Sequence, residues 1–94
     1  MRAPLHVAAT RKDPGALLLL GNSNLMIGNT DEAIANFSQL VNHPSELSVQ
    51  AKWFLSLAYL KKDDTTRALP LLKELAATDV SYAAKAREIL KDME

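Results

Sequence analysis

Along this chain apolar side chains return every three to four positions, in blocks broken by short polar turns. Ala33, Ile34, Phe37 and Leu40 form one such block, and Leu69, Leu72, Leu75 and Ala76 form another. A period near 3.6 places those residues on one face of an α-helix, where a strand would need strict alternation. Helices are expected over about 14–27, 30–42, 46–61, 65–77 and 80–92.

The turns carry the punctuation that helices need. Asp13 can cap the first helix, with Pro14 just inside, where a missing N–H costs nothing. Gly28 and Asn29 readily take left-handed conformations and should end it. Thr30 is the expected cap of the second helix, with Asp31 and Glu32 in its first turn. His43-Pro44 closes that helix, Ser45 or Ser48 opens the third, and Asp63-Asp64-Thr65 separates the third from the fourth. Asp79 or Ser81 opens the last. Pro70 falls about two turns inside the fourth helix, where it should remove one hydrogen bond and bend the axis.

Sliding the chain against itself by 35 positions aligns Ala16 with Ala51, Leu20 with Leu55, Leu25 with Leu60, Thr30 with Thr65, Ala33 with Ala68 and Leu40 with Leu75. The same register sets Ala86 on Ala51 and Leu90 on Leu55. The chain therefore divides into an N-terminal segment (1–13), a first helical hairpin (14–44), a second (45–79) and a closing helix (80–94). Gly21 with Ala33, and Ser56 with Ala68, are expected to face each other near the hairpin turns, so that two backbones can approach. Leu20, Phe37 and Leu40 would fill the rest of the first hairpin, as Leu55, Leu72 and Leu75 would fill the second. Each hairpin keeps an apolar side that only a neighbour can cover.

Composition narrows the function. Of 94 residues, 48% are apolar and only 5% aromatic, so Leu and Ala must build the core. Eleven basic residues balance eleven acidic ones, which argues against a nucleic-acid or acidic-membrane binder, since phosphate contact needs a basic excess. The longest aliphatic run, Ala16–Leu20, is too short for membrane insertion, and the N-terminal residues lack the apolar stretch of a signal peptide. No cysteine is present, which removes thiol chemistry and Cys-ligated zinc. His6 and His43 have no acid or serine at useful spacing. Asp63-Asp64 lacks the ligand pattern of a calcium loop. No catalytic constellation, metal site or cofactor site is legible, and we expect no enzyme activity.

The repeat resembles the tetratricopeptide repeat, whose pattern is W-x2-L-G-x2-Y, then A-x3-F, then P. The first unit offers Leu17-x2-Leu20-Gly21-x2-Asn24, Ala33-x3-Phe37 and Pro44. The second offers Lys52-x2-Leu55-Ser56-x2-Tyr59 and Ala68-x3-Leu72, with no closing proline. Trp53 lies one residue after the slot of the motif's tryptophan. The resemblance covers roughly residues 14–92 and implies an all-α fold, a right-handed solenoid of antiparallel helical hairpins.

The resemblance also implies that the first helix of each hairpin lines a concave surface for a peptide or protein partner. Leu18, Asn22 and Met26 would contribute from the first helix, Trp53, Leu57 and Lys61 from the third, and Lys85 from the last. Trp53 is the expected anchor of that groove; the competing expectation is that it packs on Tyr82 or the stem of Lys85. Some family members hold a C-terminal carboxylate in a clamp of Lys, Asn and Arg. Leu18, Phe54 and Ile89 occupy three of its slots, so that specificity does not transfer. Rival readings are a self-associating unit that forms a homodimer and an accessory domain of an enzyme or membrane-anchored regulator. Solenoids generally need about three repeats, so we expect a piece of a longer bacterial-type protein rather than a dimerising unit. Leu5, Ala8 and Ala9 would then trail from a preceding helix. A soluble domain is expected, cytoplasmic, or periplasmic where a parent protein is membrane-anchored.

Overall fold

The computed structural model describes residues 13–42, 47–78 and 81–93. Among them stand five α-helices and no strand: α1 (Pro14–Met26), α2 (Thr30–Val41), α3 (Ser48–Lys61), α4 (Thr65–Thr78) and α5 (Ala83–Met93). Each helix packs on its predecessor and its successor in sequence, and α1 also touches α3. Short turns force consecutive helices to run antiparallel, so the chain is a row of helical hairpins. The expectations for Leu5, His6, Ala8, Ala9, His43, Pro44, Ser45 and Asp79 lie outside the described residues.

The helix ends show how closely the two hairpins share one design. Gly28 has φ of 90° and Asp63, 35 positions on, has φ of 60°. At the first, Gly28 N–H donates to the Leu25 carbonyl at 3.3 Å and Asn29 N–H to Asn24 at 2.8 Å; at the second, Asp63 donates to Leu60 at 2.9 Å and Asp64 to Tyr59 at 2.8 Å. One left-handed residue thus satisfies two orphan carbonyls at each turn. Asn29 itself is not left-handed, with φ of −83°.

Caps follow the expectations at Asp13 and Asp64 but not at Thr30, Ser48 and Ser81. Asp13 Oδ1 accepts from Gly15 N–H at 3.1 Å, with Pro14 opening the helix. Asp64 Oδ1 accepts from Arg67 N–H at 3.2 Å. Thr30 is already the first helical residue; Asn29 precedes it and makes no side-chain capping bond. Ser48 likewise lies inside α3 behind Leu47. The Ala86 amide bonds the Tyr82 carbonyl at 2.8 Å, so α5 opens at Tyr82 and not at Ser81. The helix α4 continues through Pro70, which is exposed, so water can reach the Thr66 carbonyl that proline leaves without a donor.

Burial assigns the packing partners. Leu17, Leu40 and Ala51 form one cluster, Ala33, Phe37 and Leu55 a second, and Ala68, Leu72, Leu75 and Ala86 a third. Gly21 and Ser56 are both buried, as expected of the small positions. What stands over Gly21, however, is the ring of Phe37: a Cβ built there would meet Phe37 Cε1 at 2.5 Å. Ala33 joins the cluster that carries Leu55 of the next hairpin. Leu20 departs from expectation, being 40% exposed where Leu55 is 5% exposed. The difference has a cause. Leu55 is buried against α2, the helix before its own, and Leu20 has no such neighbour among the described residues.

Candidate functional site

The stripe expected to meet a partner lies on α1, α3 and α5. Leu18 and Asn22 are half-buried, and Met26, at the end of α1, is 86% exposed. Trp53 and Leu57 are half-buried on α3, while Lys61 and Lys85 are exposed. Leu18 packs against both the Leu17–Leu40–Ala51 and the Ala33–Phe37–Leu55 clusters, so its inner side is committed to the fold. The helix α1 holds no charged residue. Apart from Asn22, Ser23 and Asn24, it offers a surface of aliphatic side chains and glycine.

Trp53 meets Tyr82 in a stack, centroids 5.4 Å apart and planes inclined by 26°. Both rings also pack on the Ala68–Leu72–Leu75–Ala86 cluster, which ties α3 to α4 and α5. The contact with Tyr82 expected of a structural tryptophan is therefore present, and the indole still keeps part of its surface in solvent. Phe37 and Phe54 stack similarly across the α2–α3 junction, with centroids 5.7 Å apart.

Several polar links were not foreseen. Asn24 Nδ2 donates to Asn36 Oδ1 at 2.8 Å across the first hairpin, and Asn36 is 8% exposed. Its signal was available: Asn36 falls within the buried period of Ala33, Phe37 and Leu40. Lys52 bridges Glu74 across the second hairpin, and Lys62 Nζ bridges Asp31 at 2.8 Å between hairpins. Arg87 donates from Nη2 to the Ala76 carbonyl at 3.1 Å and so closes the end of α4 against α5. Ser56 Oγ donates to the Trp53 carbonyl at 2.6 Å, which satisfies a hydroxyl buried in the core.

A separate groove of about 620 Å³ opens between α4 and α5, lined by Thr65, Thr66, Leu69, Lys73, Leu90 and Met93. Among the described residues, no group of three or more His, Cys, Asp or Glu could hold a metal ion, and no helix is long and apolar enough to cross a membrane.

Consecutive antiparallel helices, equivalent left-handed turns 35 residues apart and small buried residues at the crossings define a helical-hairpin repeat. A family model described as tetratricopeptide repeat matches residues 15–45, the span of α1 and α2. That match and the five-helix architecture fit a tetratricopeptide-type repeat, a kind of repeat that generally mediates protein–protein interaction. No curated protein and no solved structure matches the chain.

Proposed function

We propose that the chain is a non-catalytic interaction module whose first helices present a partly apolar surface to a peptide or protein. Leu18, Asn22 and Met26 on α1, Trp53, Leu57 and Lys61 on α3, and Lys85 on α5 form that surface. The observation that supports the reading is the contact of α1 with α3, two helices on which Leu18, Asn22, Trp53 and Leu57 are all half-buried and keep part of their surface in solvent. Trp53 supplies the aromatic area that dominates interface energetics. The exposed amines of Lys61 and Lys85 favour a segment bearing acids at the rim, where charge steers encounter more than it adds affinity.

Selection of random peptides on the immobilised chain, followed by amide chemical-shift mapping of the best binder, tests this. Shifts are expected at Leu18, Asn22, Trp53, Leu57, Lys61 and Lys85. A binder whose shifts fall on the opposite helices α2 and α4 sinks the proposal, as does a selection that yields none.

A further inference from the structure

Two features at opposite ends of the helix row are complementary. The first is a knob. Large apolar side chains exposed among the described residues are Leu19, Leu20, Met26 and Ile27, and the last two are 86% and 71% exposed at the tip of the first hairpin. Five and six residues past Met26, in the first turn of α2, stand Asp31 and Glu32. Asp31 is engaged by Lys62, and Glu32 is exposed with no ion partner among the described residues.

The second is a hole, the groove between α4 and α5. Its Leu90 and Met93 are half-buried. Their counterparts 35 residues earlier, Leu55 and Ala58, are 5% and 0% exposed. The first junction shows what covers this register: Leu71 of the following helix and Tyr59 of the last turn of α3 pack on the Ala33–Phe37–Leu55 cluster. At the second junction that apolar cover is missing among the described residues. The rim is also reversed in charge. Where α2 carries Asp31, α4 carries Thr66, and Lys73 stands in the place of Ser38, exposed and without an ion partner among the described residues. The first turn of α4 adds the partial positive charge of a helix N-terminus. The groove therefore asks for apolar side chains followed by an acid. The tip of α1 offers that combination; Leu19 and Leu20, mid-helix on uncharged α1, do not.

We infer that a second copy of this chain docks its α1–α2 turn, Met26 and Ile27 foremost, into the groove between α4 and α5, with Glu32 set against Lys73. Knob and hole are different surfaces, so the contact is heterologous, and each copy keeps one of each for the next. Assembly then proceeds head to tail. This contact shares only Met26 with the proposed peptide surface, and Glu32 and Lys73 belong to neither stripe of it.

Sedimentation velocity over a concentration series of the full chain tests the inference, with circular dichroism confirming helical content of each variant. The wild-type chain should form species that grow with concentration. Glu32→Lys alone and Lys73→Glu alone should each raise the concentration of half-association by about tenfold, since each sets like charges together. The double variant should recover, and an equimolar mixture of the single variants should regain head-to-tail growth as an alternating assembly, since both hetero contacts set opposite charges together. Met26→Asp with Ile27→Asp should leave a monomer. A wild-type chain that stays monomeric at millimolar concentration overturns the proposal. So does a dimer that ignores these substitutions, which would assign the contact to Leu19 and Leu20 instead.

Discussion

Gly21 lies under the ring of Phe37, so close that a methyl group on the glycine would stand 2.5 Å from Cε1. The equivalent pair in the second hairpin is Ser56 and Leu72, both fully buried. A side chain has been gained on one helix and a ring lost on the other, so the same crossing is filled in two ways.

That exchange is testable. Gly21→Ala should cost about 1–3 kcal/mol, because Phe37 is fully buried and cannot swing aside. Gly21→Ser combined with Phe37→Leu imports the second hairpin's solution and should recover at least half of the loss. Urea denaturation of the two single variants and the double variant gives the coupling; strict additivity would place the glycine away from the ring.

The Asn24–Asn36 bond predicts an asymmetry. Asn24→Ala leaves the Asn36 oxygen nearly buried without its donor and should destabilise by about 1–3 kcal/mol. Replacing both, with Asn24→Tyr and Asn36→Leu, copies the residues of the second hairpin, Tyr59 and Leu71, which pack on the Ala33–Phe37–Leu55 cluster. The double variant should be close to neutral in thermal melts, since removing both polar partners leaves no orphan.

The two left-handed turns respond in opposite directions. Asp63, at φ of 60°, carries a Cβ in a conformation that suits glycine, so Asp63→Gly should be neutral to stabilising by about 1 kcal/mol. Gly28→Ala, at φ of 90°, should destabilise by about 1–2 kcal/mol even though no atom lies within 4 Å of the added methyl. Melting temperatures decide it. A loss at both positions would show that the aspartate side chain contributes more than its backbone strain costs.

Trp53→Ala should lower stability by about 1–3 kcal/mol through the lost stack with Tyr82 and the lost packing on α4 and α5. Trp53→Phe retains an aromatic face and should recover most of it. If either variant also weakens a selected peptide more than its population of unfolded chain explains, the indole contributes to both fold and binding.

Much of this architecture was legible before any coordinates. Asp13, Gly28 and Asp64 mark helix ends because their backbone and side-chain chemistry acts locally, on residues two to three positions away. Thr30 and Ser48 misled for the same reason: a hydroxyl near a helix start is a cap only when its backbone leaves the helix, and theirs do not. Leu20 and Leu55 are indistinguishable as sequence, yet one is exposed and the other buried, because cover depends on which helix precedes each. Spacing marked Gly21 as small and buried, but it did not show that the ring of Phe37 stands over it. The groove between α4 and α5 had no sequence signal at all. It is the space where, among the described residues, nothing gives Leu90 and Met93 the cover that Leu71 and Tyr59 give the first junction.

Apart from the touch between α1 and α3 and the stack of Trp53 on Tyr82, the helices among the described residues lean on their neighbours along the chain. Such a molecule has low contact order: native contacts close small loops, so folding should be rapid and can begin at either hairpin. The same layout means that tension applied through the two termini should peel helices away in succession, as a zipper opens. A change in α5 would then be felt strongly at α4, weakly at α3 and hardly at all in α1.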